Sequence, residues 1–227
     1  MSTPSADRVV VVAGGTGLLG GAVVAALRGR GARVVVPSRR RAAVGDDDGV
    51  RSVQVGNWED PRELVAVLGE PDWHPDAVVA SIGGWWLGPQ LVDLAPSVWR
   101  EILESHLTGH FLVARALAPR LRGADPVYVL LNGAAATEPM AGSGPVSVTG
   151  AAQRMLLEVL RSEAIGSLVR FHEVNVRVAV AGDARNLDPE ATVGADRVAA
   201  AVLAVLDDPR SAPVVPVAPP GVPAGPT

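Results

Sequence analysis

The sequence contains no lysine: all 20 of its basic residues are arginine. It has no cysteine and a single tyrosine, Tyr128. Without lysine there is no Schiff-base catalysis, no phosphate-loop lysine and no motif pairing tyrosine with lysine. Without cysteine there are no disulfides, thiolate metal sites or cysteine nucleophiles. The net charge of −4 leaves no basic field to recruit nucleic acid. What is present suits one domain: 227 residues, 48% hydrophobic and 19% charged, enough apolar material for a sizeable core.

Residues 9–27 carry no charge and follow Arg8, so hydropathy alone would allow a membrane helix or a signal peptide. Five glycines interrupt the stretch: Gly14, Gly15, Gly17, Gly20 and Gly21. A strand, a tight turn and a helix explain it better. The protein is expected to be cytoplasmic, with no membrane or nucleic-acid partner.

From Arg8 onward, Val-rich runs alternate with longer Ala/Leu-rich stretches. The strands are expected at 8–13, 33–37, 51–55, 77–81, 126–132, 170–176 and 213–217. The helices are expected near 17–29, 60–68, 97–121, 145–167 and 195–207. Strands that are apolar throughout are covered on both faces, and alternation with helices gives a parallel sheet with right-handed crossovers. The expected fold is therefore α/β: a Rossmann-type, doubly wound sheet of about seven mainly parallel strands with helices on both faces. One dinucleotide-binding domain spans 8–217, with flexible tails at 1–7 and 218–227; the second tail is rich in Pro and Gly. There is no internal repeat.

Local punctuation supports these boundaries. Asp60 is expected to cap the second helix with Pro61 at its first position, and Ser97 to cap the long one. Gly29, Gly31 and Gly123 suit helix ends. Asp46, Asp47 and Asp48 form a solvated turn.

The first strand runs straight into Gly14-Gly15-Thr16-Gly17-Leu18-Leu19-Gly20. Glycines at Gly14, Gly17 and Gly20 permit a tight turn and close approach of backbone to a pyrophosphate. The free N–H groups at the helix start then face its negative charge. The alternative is a turn needed only for packing. The second strand ends in Ser38-Arg39-Arg40-Arg41, with no acid from Val34 to Arg41. An acid there would hold the ribose hydroxyls of NAD, whereas arginine grips a 2′-phosphate through paired hydrogen bonds. NADP is therefore favoured over NAD, with Arg39 the preferred contact and Arg40 and Ser38 beside it. Asn57, Ser81 and Gly83, after the third and fourth strands, complete the expected cofactor contacts.

At this point the chain resembles a short-chain dehydrogenase/reductase over roughly 8–217. The glycine turn resembles the family's TGxxGxxG form, with Ala13 in place of threonine. Ala80-Ser81-Ile82-Gly83 falls where the family has Asn-Asn-Ala-Gly. The run 99–109 resembles its long helix, and 127–133 its fifth strand. The resemblance implies four catalytic positions: tyrosine, a lysine four residues later, serine and asparagine. They fall on Val146, Gly150, Gly133 (or Asn132) and His106. The Pro-Gly that follows the sixth strand in the family is replaced near Asn175-Val176-Arg177. The family's ordinary proton-coupled hydride transfer is thus not expected.

Substitutes are conceivable. His106 could act as a general acid/base, and with His110, one turn on, could hold a metal, although no third ligand is evident. Trp85 and Trp86 could wall an apolar substrate or the nicotinamide ring. Asn132 could bind a carbonyl oxygen, and Glu138 could abstract a proton if desolvated. Ser143, Ser147 and Thr149 lie nearby. Each could equally be ordinary packing. The family also packs two helices against a partner, a role that Met155, Leu156, Val159 and Leu160 fit, so a homodimer or tetramer is expected. Three functions remain open: an atypical NADP(H)-binding protein without the usual catalytic residues, a divergent reductase or non-redox isomerase or cyclase, and a non-catalytic cofactor-sensing or partner subunit.

Overall fold

The computed structural model describes residues 8–39, 49–185, 191–219 and 221. Arg40, the Asp46-Asp47-Asp48 turn and most of both expected tails lie outside them. The strands are β1 (Val9–Ala13), β2 (Arg33–Ser38), β3 (Val50–Gln54), β4 (Ala77–Ala80), β5 (Val127–Gly133), β6 (Arg170–Val176), β7 (Ala179–Val180), β8 (Thr192–Val193) and β9 (Val214–Val217). Seven of them form one sheet in the order β3-β2-β1-β4-β5-β6-β9. Every pairing in it is parallel. The two-residue strands β7 and β8 pair apart from it; they are too short to leave a pattern in the sequence.

The helices are α1 (Leu18–Gly29), α2 (Arg62–Leu68), α3 (Pro96–Ile102), α4 (Gly109–Leu117), α5 (Gly144–Ser162) and α6 (Ala195–Asp207). Successive residues of β1 point to opposite faces. Val10 and Val12 pack with Val23 and Leu27 of α1 and Val202 and Leu206 of α6. Val9 and Val11 pack with Leu64 of α2, Leu117 of α4 and Leu157 of α5. Both faces are covered, which explains unbroken valine runs. Full burial of each such side chain contributes about 1.5–3 kcal/mol relative to exposure.

Several expectations need correction. The long helix over 97–121 is not continuous. A wide π turn (Leu103–Thr108) separates α3 from α4, and a 3₁₀ turn (Ala118–Arg120) ends it. In the π turn Ser105 Oγ donates to the carbonyl of Glu101 at 2.8 Å, a side-chain bond that competes with the helical ladder. Pro119 lacks the N–H that a further α-turn would use. The fourth helix, expected over 145–167, stops at Ser162 because Glu163 is extended. Ser97 does not cap α3, which starts at Pro96 behind Ala95. Asp60 does not cap α2; Pro61 occupies that position, and the Asp60 carboxylate pairs with Arg62 at 2.6 Å.

β1 lies between β2 and β4, so the chain reverses its direction of sheet growth there. In open α/β sheets a crevice forms beyond the carboxyl ends of strands at such a point. The glycine turn and the loop after β4 both emerge into it.

Candidate functional site

The glycine turn is built on hydrogen bonds from Gly15 N to Val12 O (3.1 Å) and Gly17 N to Gly14 O (2.9 Å). Gly14 has φ +82°, and a Cβ there would lie 1.9 Å from Ser81 O. A Cβ on Gly20 would lie 2.2 Å from Gly14 O. These two glycines let the turn press against β4 and let α1 press against the turn. Gly17 caps α1 without a side-chain bond, and the first helical turn carries no acid. Gly21 N is the first to find its helical acceptor, Gly17 O at 2.7 Å. The N–H groups of Leu18, Leu19 and Gly20 therefore have no partner within the helix, at its positive end. A helix end of this kind can hold an anion.

Gly17, Leu18 and Leu19 line a cavity of about 680 Å³. Its wall also brings together Ser81, Gly83, Trp85, His106 and Asn132. The three positions at which the family resemblance calls for serine, tyrosine and lysine, Gly133, Val146 and Gly150, line it too. Gly14, Gly15, Thr16 and Gly20 shape the turn behind the wall. Ser38 and the exposed Arg39 end β2 outside it. Asn57 is also outside, its side chain accepting from Glu59 N at 2.8 Å in a local turn. Trp86 is not on the wall: its indole folds over Gly88, and its carbonyl accepts from Ser143 Oγ at 2.7 Å.

The polar side chains on this wall, and Ser147 and Glu138 beside it, are largely committed to other groups of the protein. His106 Nε2 meets Gly84 O at 2.9 Å and Gly84 N at 3.2 Å, and Nδ1 meets Ser105 Oγ at 3.0 Å. The ring pins the loop after β4. Asn132 Nδ2 donates to Gly150 O at 3.0 Å, and its Oδ1 accepts from Gly133 N at 2.9 Å, tying β5 to α5. Thr149 Oγ1 donates to Pro145 O at 2.9 Å. Ser147 Oγ accepts from Met140 N at 3.2 Å. Glu138 is not a desolvated base: it is half exposed and paired with the guanidinium of Arg177.

Two other groups are ruled out as reagents by burial. His110 is fully buried beneath the loop after β4, with Nε2 3.3 Å from Ile82 O. Desolvation holds its pKa down at about 4, opposed by that bond and reinforced by the neighbouring His106. Among the described residues no group of three or more acids and histidines could hold a metal. Tyr128 lies in the core against Phe171, centroids 5.6 Å apart, and burial raises its hydroxyl well above the ordinary tyrosine range.

Against known proteins, the model of the NAD dependent epimerase/dehydratase family matches residues 10–86. The chain is 31% identical over 178 residues to a protein of Streptomyces violaceoruber named as a ketoacyl reductase of the granaticin polyketide synthase. That match covers 73% of this chain and 70% of the other. The chain belongs to the short-chain dehydrogenase/reductase family. It is 29% identical over 183 residues to dehydrogenase/reductase SDR family member 4 of rabbit, covering 74% of this chain and 69% of that one. It spans 62% of the human counterpart at 28% identity. A short-chain dehydrogenase of Burkholderia cenocepacia, solved in complex with NADP, superposes with a TM-score of 0.80 at 21% identity. It covers 94% of this chain and 89% of its own. A short-chain dehydrogenase of Streptomyces avermitilis gives 0.79 at 20% identity, covering 95% and 88%. No helix among the described residues is long and apolar enough to cross a membrane.

Sequence reasoning missed several wall residues of this family member: Leu87, Met140, Gln153, Asp183 and Arg185, with Arg177 noted only for its place in the chain. Gln153 Nε2 donates to His106 O at 3.2 Å. Its signal was available, since it lies three residues beyond Gly150 on one helix face.

Proposed function

We propose that this chain binds NADP(H) in the cleft and does not carry out the family's ordinary proton-coupled hydride transfer. One contrast carries the reading. The uncapped amino end of α1 faces the cavity, while Gly133, Val146 and Gly150 bring it no proton donor. The residues fit the cofactor: the N–H groups of Leu18 and Leu19 would hold the pyrophosphate, and Arg39, with Arg40, the 2′-phosphate. When bound, the cofactor supplies a hydride donor or acceptor. General acid catalysis contributes roughly 10²–10⁴-fold, so its loss leaves a binder rather than an efficient reductase.

The rival reading, a divergent reductase or a non-redox isomerase or cyclase, has His106 and Asn132 on the cavity wall in its favour. Against it, both side chains are occupied by backbone of the same wall. Titration calorimetry with NADPH and NADH tests the proposal. We expect NADPH to bind more tightly and no turnover across a panel of carbonyl compounds. Heat from neither cofactor overturns it, and turnover that His106→Ala abolishes supports the rival.

The same reading includes a homodimer formed through α4 and α5. Phe111, Val148, Met155 and Val159 leave an apolar face there, Met155 at 62% exposure. Leu160 instead packs on the core. Light scattering should give a dimer or tetramer, and Met155→Glu a monomer; a monomeric wild-type chain at micromolar concentration removes this part.

A further inference from the structure

The cavity wall carries three charged side chains: Arg177, Asp183 and Arg185. They differ in what they have left to offer. Arg177 is buried, and its guanidinium is used by Thr137 Oγ1 at 2.7 Å, Asn175 Oδ1 at 3.4 Å and the carboxylate of Glu138. Arg185 is gripped from one side only. Its Nε and Nη2 donate to the two carboxylate oxygens of Asp183, at 2.8 and 2.7 Å. Asp183 is the inner member of the pair, its side chain 13% exposed against 54% for Arg185. The Nη1 edge makes no hydrogen bond among the described residues and lies over Gly84.

The loop after β4 is shaped to receive it. Gly84 has φ +156°, and a Cβ there would fall 2.1 Å from Arg185 Nη1. His106 Nε2 lies within hydrogen-bond reach of that glycine, donating to its carbonyl at 2.9 Å in one tautomer or accepting from its N–H at 3.2 Å in the other. The arrangement runs from the π turn through Gly84 to the guanidinium of Arg185, a residue of the cavity wall. Arg39 lies outside this wall, at the end of β2, so the two arginines serve different parts of any dinucleotide that spans the cleft.

We infer that Arg185 is a ligand-binding cation, contacting the phosphate on the nicotinamide side of the bound dinucleotide. Asp183 fixes the planar fork, and the unspent N–H edge meets the anion. A phosphate oxygen is the natural acceptor, because charge-assisted contacts of guanidinium to phosphate are short and strong. With no lysine in the chain, Arg185 is the wall cation best placed for the role. This inference rests on the NADP(H) reading above. Within it, His106 is a positioning residue that holds Gly84 where the guanidinium can lie.

The test is calorimetry on the full chain and Arg185→Gln, with NADPH and with adenosine 2′,5′-bisphosphate, which lacks the nicotinamide-side phosphate. Arg185 is half exposed and the amide of Arg185→Gln can still donate to Asp183, so the variant should fold, with its melting temperature lowered only slightly by loss of the bidentate pair. We expect NADPH affinity to fall about tenfold, as for loss of one charge-assisted hydrogen bond. Affinity for the bisphosphate should be unchanged. Arg185→Lys should recover part of the loss, because it restores charge but not the fork. Equal NADPH affinity in wild type and Arg185→Gln overturns the inference alone. So does tighter binding by the variant, which would make Arg185 a plug, and so does an equal loss for both ligands. Failure of the wild-type chain to bind NADPH overturns the underlying reading and the inference with it.

Discussion

The two ends of the cleft are built by different means. At the end formed by β1 and α1, the chemistry belongs to the backbone: glycines at three fixed positions and a helix terminus with unspent N–H groups. At the end formed by β5, α5 and the π turn, the chemistry of the family belongs to side chains. By the family resemblance those positions fall on His106, Gly133, Val146 and Gly150. A site made of backbone survives only if particular glycines stay. A site made of side chains can change without disturbing the fold, because it does not depend on a special backbone conformation. On the reading proposed above, the contrast lets one crevice keep an anion site while Gly133, Val146 and Gly150 bring no proton donor.

The largest effect should come from attacking the backbone end. Gly14→Ala puts a methyl 1.9 Å from Ser81 O at φ +82°. Neither the strand nor the loop after β4 can yield cheaply, so we expect more than about 3 kcal/mol of destabilisation. Chemical denaturation would show it, with cofactor binding lost at any temperature at which the variant still folds. A variant as stable as wild type would mean that the turn has room, and the asymmetry of the two ends would go with it.

Next comes a test of two histidines four residues apart. His106 faces the cavity, whereas His110 is sealed behind it with a pKa of about 4. In the unfolded chain histidine titrates near its ordinary 6.5. Between those values the unfolded chain holds a proton that the folded chain does not, so stability falls as pH drops from about 6.5 to about 4. The loss should approach roughly 3 kcal/mol at the acid end. His172, also lowered by burial, acts in the same direction. Glu173 opposes: burial raises it, so from its raised value down toward 4.5 the folded chain binds the proton first and gains stability. Denaturation across this range should give a steeper acid slope for wild type than for His110→Asn. Identical slopes would place His110 in contact with water.

Rebuilding the emptied end should cost less but still fail. A Cβ on Gly150 would lie 3.1 Å from Ala136 Cα and 3.2 Å from its N and Cβ. α5 therefore sits close on the turn after β5, an approach reinforced by Asn132 bonding Gly150 O. Val146→Tyr combined with Gly150→Lys should lose about 1–3 kcal/mol by overpacking and gain no carbonyl turnover. Efficient NADPH oxidation by the double variant would show that only side chains had been lost, and that the wall had not closed around their absence.

How much of this was legible in the sequence depended on the same division. The β1–α1 junction could be read because its physics is local: strand, turn and helix start are consecutive. The strands were legible because burial on both faces leaves unbroken valine. The π turn was not, because apolar periodicity does not register one added residue in a turn that a histidine ties to a distant loop. Asp60 has the residue type of a cap, but its carboxylate pairs with Arg62 instead. Trp86 was grouped with Trp85, yet successive residues of an extended loop point opposite ways. Arg185 was invisible because its meaning comes from Gly84, 101 positions earlier in the chain, and from the conformation of that glycine.

The smallest effect should be at Arg39, and it sharpens what the backbone end can and cannot choose. Unspent N–H groups would hold any pyrophosphate, so they would not distinguish NADH from NADPH. Discrimination must come from a side chain near the ribose. β2 ends with Pro37 and Ser38 paired to β3, which brings the next residue, Arg39, to the rim with its side chain exposed. Arg39→Ala should therefore lower NADPH affinity by about tenfold, one charge-assisted contact, and leave NADH affinity unchanged. Calorimetry with both cofactors reads the ratio directly. An equal fall for both would move Arg39 to the pyrophosphate. No change in either would leave the choice between cofactors to the arginines that follow it. In each case the common binding energy stays with the glycine turn, because a 2′-phosphate contact adds selectivity to an anion site that must already exist.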